Sequence, residues 1–383
     1  MVLTLFYPKS SNSIFAYSQK SLLKGKCTVK KIGIFLFCCL LTIALMACSG
    51  SKDKEADADS SGKSKTIEAS IDNASYILSG KDDGVSEDDD QDGGLLMVDL
   101  KVKNVSDQPI SVFPHADIQL YDGDTQTDPS KDTNPSIDLK SESMGEIGPD
   151  KQKNVTVLFD VDKDTKYEIN IAPKSSDFEK DTEDVQVPLD TSKYNDSLKA
   201  LQDPAKALKA YIETIYFDKD NSDYEKYVSA DKDGVQDDAK KEFNKSIESI
   251  LSRDVSDSKM DKYYNSFKQA SAEKDELEVE VKANANDKAN VELEYSALAI
   301  DDISKKVKEY KIKYRENNDD FDIEKEQEYA LSKFDSILDK LDAKSASREL
   351  EIQMVKKDGK WMIDDSRDAS ERLMRAFAKG SVY

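Results

Sequence analysis

The spacing of the apolar residues changes at Asp203-Pro204, from every second residue before this point to every third or fourth residue after it. A spacing of two is typical of half-buried strands, and a spacing of three to four is typical of amphipathic helices. The sequence therefore predicts two domains in series, an all-β domain over residues 66–190 and an α+β domain over residues 200–383.

Short alternating apolar runs, separated by Gly, Pro, Asn and Asp, fill the first domain. Several short strands with turn residues between them favour a β-sandwich, because each strand then buries one face and exposes the other. The predicted strands are residues 66–78, 95–104, 110–113, 118–121, 154–161, 166–171 and 185–189.

The second domain opens with Asp203 as a candidate N-cap and Pro204 at the first helical position. An apolar stripe from Ala207 to Ile215 follows, so the first element is predicted to be a helix. Further helices are predicted at residues 237–251, through Tyr263, Tyr264 and Phe267, at residues 322–341 and after Asp368. Strands are predicted at residues 277–281 and 291–295, around Ile312 and Tyr314, and at residues 349–356 and 360–364.

Leu45-Met46-Ala47-Cys48 resembles a bacterial lipobox, because a small residue precedes a cysteine at the end of an apolar run. The run follows Lys30-Lys31 and is shorter than the roughly 20 residues of a membrane-spanning helix, which is the alternative. We expect residues 1–47 to be a signal region that is cut before Cys48, and the thiol of Cys48 to carry diacylglycerol and fatty-acyl chains. This predicts a cell-membrane protein that is lipid-anchored on the extracellular side.

The two segments that flank the lipobox differ in composition from the domains. Residues 1–28 make the part before the apolar run longer than in ordinary signals, so we hypothesise that translation starts at Val29 and that residues 1–28 are not translated. Residues 49–65 are rich in Ser, Gly, Lys and Asp, which is typical of a flexible chain. Residues 48–65 are therefore predicted to be the lipidated cysteine and its tether.

Charge and cysteine content exclude several kinds of function. The net charge is −22, and the signal region contains no acidic residue, so the rest of the chain is still more negative. Nucleic acid is excluded as a partner because its phosphates require Lys and Arg. The same charge repels anionic lipid headgroups, so we expect the two domains to stand off the membrane.

All four cysteines, Cys27, Cys38, Cys39 and Cys48, lie at or before the lipobox, which excludes disulfides and cysteine-ligated metals in the domains.

Each predicted domain contains a short motif, at a strand and its turn, that resembles a known family. The meander that closes with Asp358-Gly359-Lys360-Trp361-Met362-Ile363 resembles the NTF2-like (cystatin-related) fold. The strand 95–103, running into Asn104-Val105-Ser106-Asp107, is similar to telokin-like, immunoglobulin-like domains of Gram-positive lipoproteins. Together they resemble a family of uncharacterised Firmicutes lipoproteins, the YcdA-like lipoproteins. The resemblance implies an immunoglobulin-like sandwich, an NTF2-like domain and an envelope location, and it supplies no catalytic residues.

Asp88, Asp90 and Asp92 are the candidate metal ligands. They alternate ahead of Gly93, and Asp99 occupies the twelfth position, which is the spacing of a calcium loop with Asp in place of the final Glu. The absence of flanking helices favours the alternative, a solvated acidic loop. Calcium is the only cofactor that the sequence suggests.

The resemblance implies a second candidate site in the C-terminal domain. NTF2-like folds often enclose a cavity between helices and a curved sheet, and Tyr211, Tyr263 and Tyr264 are the candidates for lining it. The alternative is that these rings pack in the core.

No nucleophile elbow, phosphate-binding glycine loop or dinucleotide motif occurs in the sequence. We therefore predict that the protein is not an enzyme and acts as a non-catalytic binding or interaction module. Its predicted partners are the membrane, through the lipid, and an envelope protein or a small ligand. The alternative is an extracytoplasmic sensor that binds a small ligand or calcium through the acidic loop or the C-terminal cavity.

Overall fold

A computed structural model describes residues 60–80, 92–131, 145–177, 180–251, 254–318 and 322–381. The signal region and most of the predicted tether lie outside these residues. None of the described helices combines the length and the apolar character that crossing a bilayer requires.

The first half is built from short strands joined by turns. In the described part of the chain, one short helix, α1, interrupts them. The elements are β1 (Ser61–Lys63), β2 (Ile67–Ser79), β3 (Gly93–Asn104), β4 (Ile110–Ser111), α1 (Pro114–Asp117), β5 (Ile118–Asp122), β6 (Thr125–Thr127), β7 (Glu146–Ile147), β8 (Gln152–Asp162), β9 (Lys166–Ile171), β10 (Lys174–Ser175) and β11 (Val185–Asp190).

Two antiparallel sheets of this half pack face to face. Strands β2, β3 and β8 form one, and the order β11-β9-β5-β6 forms the other. Alternate residues of β3, such as Leu96, Val98 and Leu100, are fully buried in one core with Ile118 and Ile169 of the opposite sheet. The prediction of an all-β first half is confirmed, and the alternation of apolar residues is its physical cause.

The first strand corrects the predicted extent of the tether. The composition predicts that Ser61–Lys63 belongs to the flexible segment, but these residues form β1, which pairs with β2. Ser64 Oγ also donates to the backbone oxygen of Glu183 at 3.0 Å, and Lys65 forms an ion pair with the Glu183 carboxylate. Contacts with β2 and with the segment before β11 therefore order these polar residues, which the composition alone does not reveal.

The second half alternates helices with an antiparallel sheet. Its elements are α2 (Asn195–Lys199), a 3₁₀ turn (Ala200–Gln202), α3 (Asp203–Tyr216), α4 (Ser222–Tyr227), α5 (Lys232–Leu251), α6 (Asp257–Lys274), β12 (Leu277–Ala285), β13 (Lys288–Ala297), α7 (Ile300–Asn317), α8 (Ile323–Leu331), α9 (Phe334–Asp339), β14 (Lys344–Ser345), β15 (Leu350–Lys357), β16 (Lys360–Ile363) and α10 (Ala369–Phe377).

Helix α3 buries the apolar stripe that the sequence predicts, and it forms a core with the sheet and with α10. Trp361 of β16 is 2% exposed in this core. A separate helical core contains residues of α5 to α9. Asp358 and Gly359 both have positive φ, at 51° and 82°, as the tight hairpin turn between β15 and β16 requires.

Two predicted elements are wrong. Ile312 and Tyr314 lie in helix α7 and not in a strand, because the buried residues Ile303 and Val307 continue a helical face through this segment. The predicted helix 322–341 is divided into α8 and α9 by a turn, in which the Lys333 N–H donates to the Ala330 oxygen at 3.1 Å.

One sheet passes through both halves of the protein. Its order is β16-β15-β13-β12-β2-β3-β8. The two halves join where Leu78 and Ser79 of β2 pair with Asn284 and Ala283 of β12. The two parts recognised in the sequence are thus connected by backbone hydrogen bonding as well as by the chain.

Asn104, which ends β3, is fully buried and uses its whole amide group. Its Nδ2 donates to the backbone oxygens of Gln108 at 2.7 Å and Ile147 at 2.8 Å. Its Oδ1 accepts from the N–H and the hydroxyl of Ser106 at 2.9 and 2.7 Å. This side chain fixes the turn after β3 and connects it to β7.

We expect Asn104→Ala to lower the free energy of unfolding by about 2–4 kcal/mol, because it leaves buried donors and acceptors without partners. Urea denaturation of the chain from Ser49 onward measures this change. Asn154→Ala on the exposed face of β8 is the matched control and should change stability by less than about 0.5 kcal/mol. Equal effects of the two substitutions would contradict the assigned role of Asn104.

Candidate functional site

Strands β2 and β12 overlap only at their C-terminal ends, where two residue pairs join them, and each runs away from this overlap in the opposite direction. Beyond the shared ladder, the Tyr76 N–H of β2 donates to Ser197 Oγ of α2 at 2.9 Å. The buried side chain of Asn284 donates to the Leu201 oxygen of the 3₁₀ turn at 2.9 Å. Helix α2 is therefore attached to β2, and the 3₁₀ turn that follows it is attached to β12.

A groove of about 1010 Å³ lies beside this connection, and we call it the junction groove. The turn between β8 and β9, the helices α2, α3 and α4 and the start of β12 contribute to its walls. Among the described residues, its apolar lining comprises Leu198, Leu201, Ala205, Leu277 and Val279, and its charged lining comprises Lys163, Lys199, Lys206 and Lys209 with Asp164, Glu213, Asp223 and Glu278.

Amide side chains hold two of the four carboxylates. Asn195 Nδ2 donates to Asp164 Oδ1 at 2.7 Å, which ties α2 to the β8–β9 turn. Asn221 Nδ2 donates to Glu213 Oε2 at 2.6 Å, while its Oδ1 accepts the Asp223 N–H as the cap of α4. These pairs fix the positions of two acidic groups at the groove.

The lysines of the groove have few carboxylate partners among the described residues. Lys206 lies 3.7 Å from a carboxylate oxygen of Asp203. Among the described residues, no carboxylate lies within 4.0 Å of the Nζ of Lys163, Lys199 or Lys209. Unpaired ammonium groups at one groove stand out in a chain with 78 acidic and 56 basic residues. These ammonium groups can therefore donate hydrogen bonds to a ligand and attract its anionic groups.

Gln202, the N-cap residue of α3, and Lys206, Lys209 and Glu213 within α3 recur at intervals of three and four residues, so they lie along one side of this helix at the groove. At a rise of about 1.5 Å per residue, the first and last of these Cα atoms are separated by roughly 16 Å along the axis. This face runs opposite to the stripe that α3 buries in the core. The arrangement offers polar contacts over the length of an extended ligand.

Asp275, between α6 and β12, supports the strand that borders the groove. Its Oδ1 accepts the Leu298 N–H at 3.1 Å, which connects the beginning of β12 to the end of β13. Burial disfavours the charged carboxylate and raises the pKa of Asp275 from its ordinary value of 3.8 to about 7. A group with this pKa titrates near neutral pH.

The three tyrosines proposed for a C-terminal cavity are buried in two different cores. Tyr211 packs in the core beside the sheet, where its ring centroid lies 6.3 Å from that of Tyr216. Tyr263 and Tyr264 pack in the helical core, and Tyr264 also borders a pocket of about 230 Å³. The structure therefore does not bring the three rings to one site, and it places them as the core-packing alternative describes.

The calcium prediction rests mainly on residues outside the described part of the chain, since Asp88 and Asp90 lie there. Asp92 is exposed immediately before β3. Asp99 lies within β3, and its Oδ1 accepts the Thr156 hydroxyl at 2.5 Å. The lipobox residues Leu45, Met46, Ala47 and Cys48 also lie outside the described residues.

One group of carboxylates among the described residues has the spacing of metal ligands. Oxygen atoms of Glu292, Glu294 and Glu349 lie within 4.8 Å of one another. The Glu292 carboxylate is already 3.0 Å from Lys282 Nζ, and its charge is the main cause that raises the pKa of Glu349. The sequence did not suggest this group, because two of its members lie on β13 and the third precedes β15.

Sequence reasoning also missed the junction groove. Lys206 and Lys209 alternate with the buried stripe of α3 and have the pattern of any solvated helix face. Lys163 and Glu278 come from turns and strands far apart in the chain. Only the pairing of β2 with β12 brings these residues together, and a single sequence contains no signal for that pairing.

Comparison with known proteins gives matches in both halves of the chain. Residues 58–182 match a domain of unknown function, DUF4352, and residues 194–378 match a domain of unknown function, DUF5105. The uncharacterized lipoprotein YcdA of Bacillus subtilis is 30% identical over 368 residues, which cover 91% of this chain and 99% of that protein. A crystal structure of the ycdA lipoprotein from Bacillus subtilis has a TM-score of 0.65 and 26% identity, and the match covers 84% of this chain and 99% of that one.

Asp275→Asn should stabilise the protein near neutral pH. A carboxyl group with a raised pKa contributes stability below its unfolded pKa and loses that contribution as the pH rises through its folded pKa of about 7. Urea denaturation at about pH 4 and about pH 8 should therefore show a gain for the variant that grows with pH. The control Asp122→Asn, at an exposed position of β5, should show no such trend. A pH-independent difference between Asp275→Asn and the parent would contradict the assignment.

Proposed function

Because this chain belongs to the family of the YcdA-like lipoproteins, we propose that it is held at the cell membrane by lipid and binds another envelope component without catalysing a reaction. Under this proposal the lipidated residue is Cys48, the cleavage motif is Leu45-Met46-Ala47 and the body faces the extracellular side. The relatives in Bacillus subtilis are described as lipoproteins, which supports the location.

The proposal includes the identity of the two halves. The face-to-face sheets of the first half support an immunoglobulin-like sandwich over residues 66–190. The order of helices followed by the hairpins β12–β13 and β15–β16 supports an NTF2-like unit over residues 200–383. The tether then consists of Cys48 and the residues up to the beginning of β1.

The junction groove is the observation that carries the binding function. It is of the size of ligand-binding clefts, whose volumes run to about 1000 Å³, and both halves of the protein line it. Its lining combines apolar side chains with amides, carboxylates and lysines, and three of these lysines have no carboxylate partner among the described residues. A site with this composition binds through contact area and hydrogen bonds. His115, the one histidine of the chain, lies in α1 and does not line it.

A small polar ligand is the second candidate for the same groove, because the volume also suits such a molecule. The sensor function would then reside at the connection of the two halves rather than in the acidic loop. The volume of the groove and its lining by both halves favour a sensor site here over one in the acidic loop. A ligand that contacts both halves would affect the geometry between them.

Cys48→Ser should abolish lipid attachment and release the protein from the membrane. Fractionation of cells and detergent-phase partitioning measure retention, and mass spectrometry of the N-terminal peptide measures the acyl group. Cys38→Ser, in the apolar run of the signal, is the matched control and should leave retention unchanged. Full membrane retention of the Cys48→Ser protein would show that a different anchor holds it.

A photoreactive amino acid in the groove should crosslink to one reproducible partner in cells. We would replace Gln202, which lines the groove, with p-benzoylphenylalanine, and use Gln126, on the exposed strand β6, as the matched control position. The proposal predicts a discrete adduct at position 202 that is absent at position 126 and disappears with Cys48→Ser. Equal labelling of both positions, or none at position 202, would argue against the groove as the binding site.

A further inference from the structure

A small pocket of about 230 Å³ opens between α5 and α6, and we call it the α5–α6 pocket. Among the described residues, its lining from these two helices includes Gln236, Asp237, Lys240, Asp261, Tyr264 and Asn265. Ile215 of α3, which is fully buried, also borders it, and none of its lining residues lines the junction groove. Its volume equals that of roughly eight water molecules, so it has room for one small molecule.

The lysines of the pocket are neutralised within the protein. Lys240 Nζ lies 2.6 Å from a carboxylate oxygen of Asp261, and Lys268 Nζ lies 3.1 Å from one of Asp218. Of the charged groups in this lining, the exposed Asp237 alone has no ion-pair partner within 4.0 Å in the described part of the chain. A charged ligand would be attracted by one member of each pair and repelled by the other, so matched pairs of this kind favour a neutral ligand.

Tyr264 brings a buried hydroxyl group to the pocket. Only 6% of this residue is exposed, and its hydroxyl makes no hydrogen bond with the described residues. Tyr216 in the adjoining core does not supply a partner, since its own hydroxyl is enclosed and also without one. Burial raises the pKa of Tyr264 above its ordinary value of 10.0, so the hydroxyl keeps its proton and can donate as well as accept. A buried phenol usually has a hydrogen-bond partner, and a molecule in this pocket would provide it.

Amide groups extend the hydrogen-bonding surface of the pocket. Asn265, next to Tyr264 on α6, is exposed, and its side-chain amide makes no hydrogen bond with the described residues. Gln236 Nε2 donates to the Thr214 oxygen at 3.1 Å, which leaves the Gln236 Oε1 without a donor in the same part of the chain. The pocket thus offers both donors and acceptors. A hydroxyl group donates and accepts, so it matches this mixture better than an ammonium, which only donates, or a carboxylate, which only accepts.

We propose that the α5–α6 pocket is a second binding site of the protein and takes a neutral, polyhydroxylated ligand of the size of one sugar residue. Its hydroxyl groups exchange hydrogen bonds with the Tyr264 hydroxyl and the Asn265 amide. Further hydroxyl groups donate to Gln236 Oε1 and to the Asp237 carboxylate, and carbon-bound hydrogens of the ligand pack against Ile215. A free sugar and the terminal residue of a glycan share this chemistry. The site is separate from the junction groove and does not depend on the function proposed for it.

The first test measures the binding of sugars to the full-length chain, purified from membranes in a detergent without a sugar headgroup. The probes are D-glucose and D-galactose, observed by saturation-transfer difference NMR. A ligand of this size should bind with a dissociation constant on the order of 1 mM. Maltotriose distinguishes the two sources, because binding as tight as that of glucose assigns the site to a glycan end, and loss of binding assigns it to a free sugar.

The matched controls for charge are glucosamine and glucuronic acid, which keep the sugar ring and carry an ammonium or a carboxylate group. We expect each of them to bind at least about threefold more weakly than glucose, because the charge replaces a hydroxyl group that both donates and accepts. The comparison therefore tests the neutral character of the ligand separately from its size.

The second test removes the buried hydroxyl group. Tyr264→Phe keeps the ring and its packing, so we expect a folded protein that binds glucose at least about fivefold more weakly. Tyr263→Phe, at the adjacent buried tyrosine outside this lining, is the matched control and should leave binding unchanged. Thermal unfolding of both variants checks that the fold is retained.

An exposed position gives an independent variant that cannot disturb the core. Asn265→Ala should weaken the binding of glucose about threefold or more, because it removes the amide from the pocket. Gln269→Ala, one turn further along α6 and outside this lining, is its matched control.

Three results would overturn the inference. Absence of saturation transfer to glucose and galactose at about ten times the expected dissociation constant would exclude a sugar ligand. Tighter binding of glucosamine than of glucose would show that the pocket selects a cation through Asp237. Equal binding of glucose by the Tyr264→Phe and Tyr263→Phe proteins, with no loss in Asn265→Ala, would place the sugar elsewhere on the protein.

Discussion

The short pairing of β2 with β12 is the contact on which the rest of the architecture depends. Two residue pairs, Leu78 with Asn284 and Ser79 with Ala283, convert two packing units into one sheet. The buried Asn284 amide reinforces this contact by binding the Leu201 oxygen in the connecting segment. A connection of this kind positions the two halves through directional backbone bonds, whereas a flexible linker would leave their relation open.

The connecting segment beside that pairing also lines the junction groove. Strands β2 and β12 overlap by two residue pairs and run away from this overlap in opposite directions. Beyond the overlap, the Tyr76 N–H of β2 is bound by the Ser197 hydroxyl of α2 instead of a neighbouring strand. Residues of α2 and of the 3₁₀ turn, such as Leu198 and Leu201, line the groove, so the candidate site lies beside the joint between the halves.

Local patterns in the sequence predicted much of the fold, and contacts distant in sequence account for what they missed. Alternating apolar residues located β3 and β9 closely, and the Asp203-Pro204 start located α3. The segment at Ile312 failed because two alternating residues are too few to define a period, while the helical packing of α7 is set by α8 and α9. The fold resemblance suggested Tyr211, Tyr263 and Tyr264 as residues that line a cavity, but they occupy ordinary core positions. The groove lysines had no local signal, since their significance depends on a strand pairing between distant segments.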